Sequence, residues 1–584
     1  MFDKESLEAI RKRREAWEKG TLKRSLERFG MKENPKRLYT PLDVKDYDFL
    51  DKVGFPGEYP YTASVYPTEP PGAGGDYLSG GALVRAANYT GYGTPEDTRD
   101  FYLHMRAIGR EGLRPGVGPN LAFHLPTQCG YDSDDPMVRG EVGKTGVAID
   151  TLRDFEVIYE AFKGDSDLDR IASNFTINAP ANIIIAMYLA LAEKRGISWD
   201  KLRGTPQNDI LKEFVARGTY IFPPQPSMRM VRDTITFCTK HAPNMNTISI
   251  CGYHMREAGA TRTQAMAFTF SDAIAYVQLG LDAGLDVDTF VPRFTFLGFS
   301  GGMEILKEIA LQRAARRLWA RIMRERFKAR NPRTWLYRAP LAAEVGNYSK
   351  TLQRPLNNYA RAVLESVASA LSGGNAYAGY PYDEPLGLGH SLEGWQLNID
   401  ASRIVQYEAR LCDVVDPFAG SYYMEALTDD IEEEVSRIIA HIDSMGGATA
   451  AIEKGYYQQE IAKSAYEFQR QVETGERVVV GVNRFTGEKE LEVTTSRLVE
   501  HPYDPAKCAD AEERQIKNLA KVKRERDNVK VKATLKQLRE AAKDDKVNLI
   551  PVILEAVKAY ASIGEICGVL REVFGEYEPY SMAV

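Results

Sequence analysis

Four short stretches of this chain alternate polar and apolar residues with a period of two, and their polar residues are small. "NLAFHL" sets Asn120, Ala122 and His124 on one face against Leu121, Phe123 and Leu125. "IASNFTIN" sets Asn174, Thr176 and Asn178 against Phe175 and Ile177; Thr247, Ser249 and Cys251 oppose Ile248 and Ile250; Arg293 and Thr295 oppose Phe294 and Phe296. Helical segments separate these strands from about residue 86 to 425, the pattern of βα units, so the expected class is α/β. A (β/α)8 barrel normally fills its centre with bulky branched side chains. Strands with this polar face would leave such a centre under-filled, which suits a threaded ligand. On periodicity alone the preferred reading is an antiparallel sheet with one solvated face, which shows the same alternation.

With 584 residues the chain is too long for one compact core and predicts two or three domains. Residues 1–85, rich in Pro, Gly and Tyr, read as an arm and loop; 86–425 as the βα region; 426–584 as a mainly helical region containing a hairpin in "RVVVGVNRFTGEKELEV". A net charge of −6 gives no electrostatic reason for a nucleic-acid or anionic-membrane partner. The charged, helix-patterned start has no signal-peptide core and no later run approaches a membrane span, which predicts a cytoplasmic protein. Six cysteines make no C-x-x-C and seven histidines make no H-E-x-x-H, so a protein-ligated metal is not expected.

"GTPQNDILKEFVARGTYIFPPQPSMR" predicts a helix with Thr205 near its cap, Pro206 in its first turn and Gly218 after its end. Arg217 then either interacts with the helix carboxyl end or clamps a carboxylate. Gln207 can donate and accept one hydrogen bond each to an acyl group or merely be solvated. His254, in "CGYHMREAGA", has an ordinary pKa near neutrality and could act as a partial proton donor to a carbonyl, although a lone histidine is more often structural. Tyr89, in "RAANYTGYG", could cap a pocket or simply sit in a loop.

Together, "TPQNDILKE", "ARGTYIFPPQPSMR", "ISICGYHMREAGAT", "GYDSDDP", "GEVGKTGVAIDT" and "VDPFAGSYY" resemble, in order and spacing, the large-subunit region of the adenosylcobalamin-dependent acyl-CoA mutases. The resemblance runs from about residue 60 to the carboxyl terminus. It implies a (β/α)8 barrel with an N-terminal arm and a C-terminal mainly helical region, the CoA chain lying along the axis, and so reverses the preference for an antiparallel sheet. It implies radical rearrangement of an acyl-CoA carbon skeleton, with the organic chemistry supplied by the cofactor. By position, His254 is similar to the residue that hydrogen-bonds the thioester carbonyl, Tyr89 to the one that wedges against the adenosyl group, and Arg217 to the partner of a free carboxylate. Gln207, Thr205 and Tyr253 stand beside Arg217. Tyr66, Thr68, Asn120, Asn174, Thr176, Arg293 and Thr295 fall on substrate- and CoA-contacting positions; Ala122, Gln128, Glu257, Tyr380 and Glu384 fall where the family faces the cofactor.

Members acting on monocarboxylic groups replace the tyrosine and arginine by Phe and Gln, so keeping Tyr89 and Arg217 implies a dicarboxylic acyl-CoA. The alternatives are a monocarboxylic or hydroxy acyl-CoA mutase and a non-catalytic structural subunit. The family's D-x-H-x-x-G cobalamin motif surrounds none of the seven histidines. The resemblance therefore implies a separate small cobalamin-binding subunit, in a heterotetramer or with a homodimer of large subunits. Near the expected pocket the chain departs from the family: the longer segment before Tyr89 shifts CoA phosphate contacts toward Arg85, His124 stands for Asp, Gln128 for His, and Tyr380 with glycines replaces an asparagine and leucine run. These changes imply a bulkier or differently substituted acyl group.

Overall fold

The computed structural model describes residues 3–28, 36, 38–44, 46–67, 89–108, 117–299, 301–339, 347–373, 381–386, 392–487 and 510–579. Thr68, Arg85 and Tyr380 lie outside them, and of Tyr89 only the backbone is described.

The fold is mixed α/β with parallel strands. β1 (Tyr89–Thr90), β2 (Val117–Ala122), β3 (Ala172–Thr176) and β4 (Arg203–Pro206) pair in chain order as one sheet; β5 (Ile248–Cys251) and β6 (Phe294–Leu297) form another. Two backbone bonds link the sheets, from Ser249 N–H to the Gln207 carbonyl at 2.9 Å and from Asn246 N–H to the Gly204 carbonyl at 2.8 Å. β6 continues the series, since Phe296 N–H donates to the Arg338 carbonyl at 2.8 Å. Parallel order excludes the antiparallel sheet. The described residues thus give six strands in two sheets rather than eight in a closed ring.

The register aligns the polar faces. Tyr89 lies opposite Asn120, Asn120 opposite Asn174, and Asn174 opposite Thr205. On the other face Leu121, Phe175, Ile177, Ile248, Ile250, Phe294 and Phe296 are at most 2% exposed. They pack on helices, among them Ala181–Lys194, whose residues from Ala181 to Ala192 are buried on every side. The alternation ends sooner than expected at β2. The chain turns into the short helix Leu125–Gln128, which leaves Leu125 exposed instead of on the apolar face.

Two other expectations are corrected. Thr205 and Pro206 are the end of β4, not the start of a helix; only the 3-10 turn Leu211–Phe214 lies between them and Gly218. Pairing with β3 outweighs the local Thr-Pro cap signal, as tertiary context often does. The expected hairpin is, over its described residues, a turn at Gly481 with a lone bridge between Val480 and Arg484. Asn483 satisfies that turn locally, accepting from Val479 N–H and donating to the Val472 and Arg477 carbonyls at 2.7 Å each.

Several of the motif blocks serve assembly. Asp132 of "GYDSDDP" accepts from Ser562 Oγ and Gly564 N–H at 2.6 Å each, seating the helix Ile563–Phe574. Asp416 of "VDPFAGSYY" and Glu425 hold the fully buried Arg313 at 3.0 and 2.7 Å. One turn on, Arg316 donates to the carbonyls of Tyr61, Thr62 and Ala63, fixing the arm that leads to Tyr66.

Candidate active site

The open polar face and the residues just beyond the carboxyl ends of the strands form the candidate site, at the usual location in parallel α/β enzymes. Asn174 is exposed, and Asn120, Thr176, Thr205 and Ser249 are half-buried, although the residues alternating with them are sealed. Thr205 Oγ1 accepts from Asn246 Nδ2 at 2.8 Å. Ala122 is almost buried, and its carbonyl takes Val147 N–H at 2.9 Å. Gly91 follows β1 at φ +149, where a Cβ would stand 2.0 Å from the Ala122 carbonyl oxygen, so only glycine lets β1 end there. Thr295 is buried with its hydroxyl donating to the Ile248 carbonyl at 3.0 Å.

Beyond β4 lies a buried charged cluster. Gln207 Oε1 accepts from Lys212 Nζ at 2.8 Å and from Asn178 Nδ2 at 2.9 Å. Lys212 also pairs with Glu213 at 2.7 Å, both side chains fully buried. Glu213 takes Arg217 at 3.4 Å and, through its second oxygen, Thr219 N–H at 3.0 Å and Thr219 Oγ1 at 2.6 Å. Burial raises the Glu213 pKa, but Lys212, Arg217 and the Thr219 bonds outweigh it and hold the carboxyl below its ordinary value. One carboxylate thus faces two cations. Arg217 is half-buried and tied to Glu213, four residues back, in place of a longer helix's carboxyl end. Asp209 anchors the cluster to β5, accepting from Cys251 N–H at 2.8 Å and Tyr276 Oη at 2.7 Å. Burial pushes it up to about 6.

Beyond β5, Gly252 leads into the short helix Tyr253–Glu257. The rings of Tyr253 and His254 pack with centroids 3.7 Å apart, tilted by 33°. Burial, then the Lys212 and Arg217 charges, drive the His254 pKa well below its ordinary value. His254 is therefore a neutral hydrogen-bonding group, not the near-neutral acid its unperturbed pKa suggests. Its Nδ1 is sealed without a partner among the described residues. Because both cations act on His254, the ends of β4 and β5 share one electrostatic environment. Glu257 is exposed and accepts from the Asn347 and Tyr348 N–H groups at 2.6 and 2.9 Å, so it pins a loop beside the helix.

At the end of β2, His124 is fully buried and its Nδ1 accepts from Gly143 N–H at 3.1 Å. Burial lowers its pKa to about 3, so the ring is neutral with its proton on Nε2, which has no acceptor among the described residues. Gln128 donates through Nε2 to the Phe123 carbonyl, and its buried Oε1 has no donor among the described residues. Glu384 is half-buried in the turn Glu384–Leu386.

The opposite ends of the strands carry a second cationic group. Arg293 stands in the turn Val291–Arg293 ahead of β6 and donates to Asn244 Oδ1 at 2.9 Å. Burial and then Arg333 lower its pKa. Burial, against the opposing effect of Tyr66, and then Arg293 and Arg333 lower that of Arg338. Tyr66, Arg293, Arg333 and Arg338 are thus neighbours at this mouth, about one strand length from His254. Arg333, Arg338, Lys212, Glu213 and Asp209 were not singled out from sequence. Nothing in their spacing marks them, though Lys212, Glu213 and Asp209 fall inside "TPQNDILKE".

Among the described residues no group of three or more His, Cys, Asp and Glu could hold a metal ion, and no helix is long and apolar enough to cross a membrane. Among the described residues Cys129, Cys238, Cys251, Cys412 and Cys567 form no disulfide.

Parallel strands with a polar open face, carrying basic and amide groups at one end and arginines at the other, are the arrangement of an α/β enzyme. The chain belongs to the methylmalonyl-CoA mutase family, whose sequence profile matches residues 31–576. It is 40% identical over 549 residues to the 2-hydroxyisobutanoyl-CoA mutase large subunit of Aquincola tertiaricarbonis, covering 93% of this chain and 91% of that one. It is 37% identical to the methylmalonyl-CoA mutases of Rhizobium meliloti (strain 1021) and Escherichia coli (strain K12), covering 93% of this chain and 71% of each.

Proposed function

We propose that this chain is the large, substrate-binding subunit of an adenosylcobalamin-dependent mutase that rearranges the carbon skeleton of a dicarboxylic acyl-CoA. The observation that carries this reading is the joint placement of Gln207, Arg217 and His254 beyond adjoining strands, at the end of an accessible polar strand face. The strands are read as an arc of a (β/α)8 barrel, continued past β6 by the segment that pairs through Arg338.

Asn120, Asn174, Thr176 and Thr205 line the axis and hydrogen-bond the pantetheine chain, while Tyr66, Arg293, Arg333 and Arg338 receive the CoA phosphates. By their match to the family, Thr68 and Arg85 are assigned to CoA as well. Gln207 and neutral His254 hold the thioester carbonyl and stabilise charge that develops on its oxygen. Arg217, with Lys212 behind it, holds the free carboxylate; Tyr253 packs against His254, and Tyr89 is assigned to the adenosyl group by its match to the family.

The cofactor fits the opposite side of this chamber. His124 Nε2–H and Gln128 Oε1 offer a buried donor and a buried acceptor at the end of β2, and Ala122, Glu257, Tyr380 and Glu384 are assigned to the cofactor by their match to the family. When bound, adenosylcobalamin supplies the radical that removes hydrogen from the acyl group. The cobalt is ligated by a small partner subunit bearing D-x-H-x-x-G, in a heterotetramer or on a dimer of large subunits.

A hydroxy acyl-CoA is the second reading, favoured by the 40% identity to a 2-hydroxyisobutanoyl-CoA mutase large subunit. The test is turnover of an acyl-CoA panel by the chain reconstituted with such a small subunit and the cofactor. Dicarboxylic esters are expected to isomerise. Turnover restricted to monocarboxylic or hydroxy esters overturns the substrate class; no turnover of any ester overturns the mutase reading.

A further inference from the structure

A side-chain amide can face either way, and which way it faces decides whether it offers a substrate a donor or an acceptor. At Gln207 the choice is made by its neighbours. Lys212 Nζ has only donors, and it reaches the Gln207 oxygen at 2.8 Å. Asn178 supplies the second donor, and its own orientation is fixed because its Oδ1 accepts Asp209 N–H at 3.0 Å. Both inbound bonds require oxygen at that position. The Gln207 Nε2 therefore points away from Lys212 and Asn178; it has no acceptor among the described residues and is not among the sealed orphan atoms, so it meets the accessible chamber.

We propose that Lys212 is a positioning residue for the reaction: it locks the Gln207 amide so that only N–H donors face the acyl group, making Gln207 a pure donor to the acyl carbonyl oxygen. This rests on the mutase reading. Lys212 is fully buried, so it acts on substrate only through Gln207 and the charge it shares with Glu213. The expectation that Gln207 both donates and accepts is thereby corrected, because its acceptor is already occupied twice.

The experiment compares binding, by calorimetry on the full-length chain, of a dicarboxylic acyl-CoA thioester with its thioether analogue, in which a methylene replaces the carbonyl. Gln207→Glu keeps an oxygen for both inbound donors and removes the outward donor. Lys212→Met combined with Glu213→Gln removes both fully buried charges together, so neither is left without the other, and Arg217, which also pairs with Glu213, is only half-buried. Each is expected to lower the thioester-over-thioether preference by about tenfold, the scale of one hydrogen bond, with the melting temperature little changed. In the reconstituted complex, combining all three substitutions is expected to lose no more kcat/KM than the worse of the two variants, since one donor is lost either way. An unchanged preference in Gln207→Glu, or fully additive losses, overturns the proposal. Wild-type chain that binds the thioester preferentially but never turns over would instead refute the mutase reading and leave only the Lys212-set orientation of the Gln207 amide, as a feature of acyl binding, standing.

Discussion

Lys212 and Glu213 are sequence neighbours that form a 2.7 Å ion pair with both side chains fully buried. Adjacent residues seldom face each other; here the single 3-10 turn Leu211–Phe214 folds them into one chamber wall. Removing one partner of such a pair strands the other charge. Glu213→Gln is expected to cost about 3–5 kcal/mol in urea unfolding at neutral pH. Because the folded Glu213 pKa lies below the ordinary 4.5, its contribution is complete above that pH and is lost as pH falls through the folded value. A loss under about 1 kcal/mol would mean the cluster relaxes around an unpaired lysine.

His124 makes folding acid-sensitive. The unfolded ring takes up a proton below its ordinary 6.5, whereas the folded ring resists until about 3. Between those values stability should fall by about 1.4 kcal/mol for each unit of acidification on this account alone. His124→Asn keeps an oxygen for Gly143 N–H and cannot titrate. Urea midpoints measured from pH 4.5 to 6.5 should show a shallower acid decline in the variant; parallel curves would count against a neutral buried ring.

Arg217→Gln separates charge recognition from architecture. With its guanidinium gone, carboxylate-bearing esters should lose about a hundredfold in kcat/KM, near 3 kcal/mol, and monocarboxylic esters far less. Steady-state kinetics across both ester classes decides this, and equal losses would assign Arg217 to holding Glu213 alone.

Asn174 probes the axis. It is exposed on β3, so Asn174→Phe should change stability by no more than about 0.5 kcal/mol. The ring would obstruct the strand face, and acyl-CoA binding measured by calorimetry should weaken by more than about tenfold. Undiminished affinity would place the CoA chain elsewhere.

The period-two faces were legible because strand alternation is local geometry. Phe175 and Ile177 went inward and Asn174 outward as their order dictates. The segment from Thr205 to Gly218 was misread because Thr-Pro is a good helix start in isolation, and nothing within it reveals that Asn174 waits opposite Thr205. His254 and Arg217 were found through motif blocks. That His254 is held neutral depends first on burial and then on Lys212, forty-two residues earlier in the chain, and on Arg217.

By itself the sequence determined which side of each strand is apolar, which family the chain belongs to and which side chains are available for chemistry. These properties follow from residue order and cost nothing in long-range contact. Only the tertiary structure decided that the strands run parallel in chain order and that Lys212 and Asn178 meet at Gln207. It alone set which amide atom faces outward and which histidines stay uncharged. Those outcomes rest on burial and on charges brought together across folded distance, and no local stretch of residues encodes either.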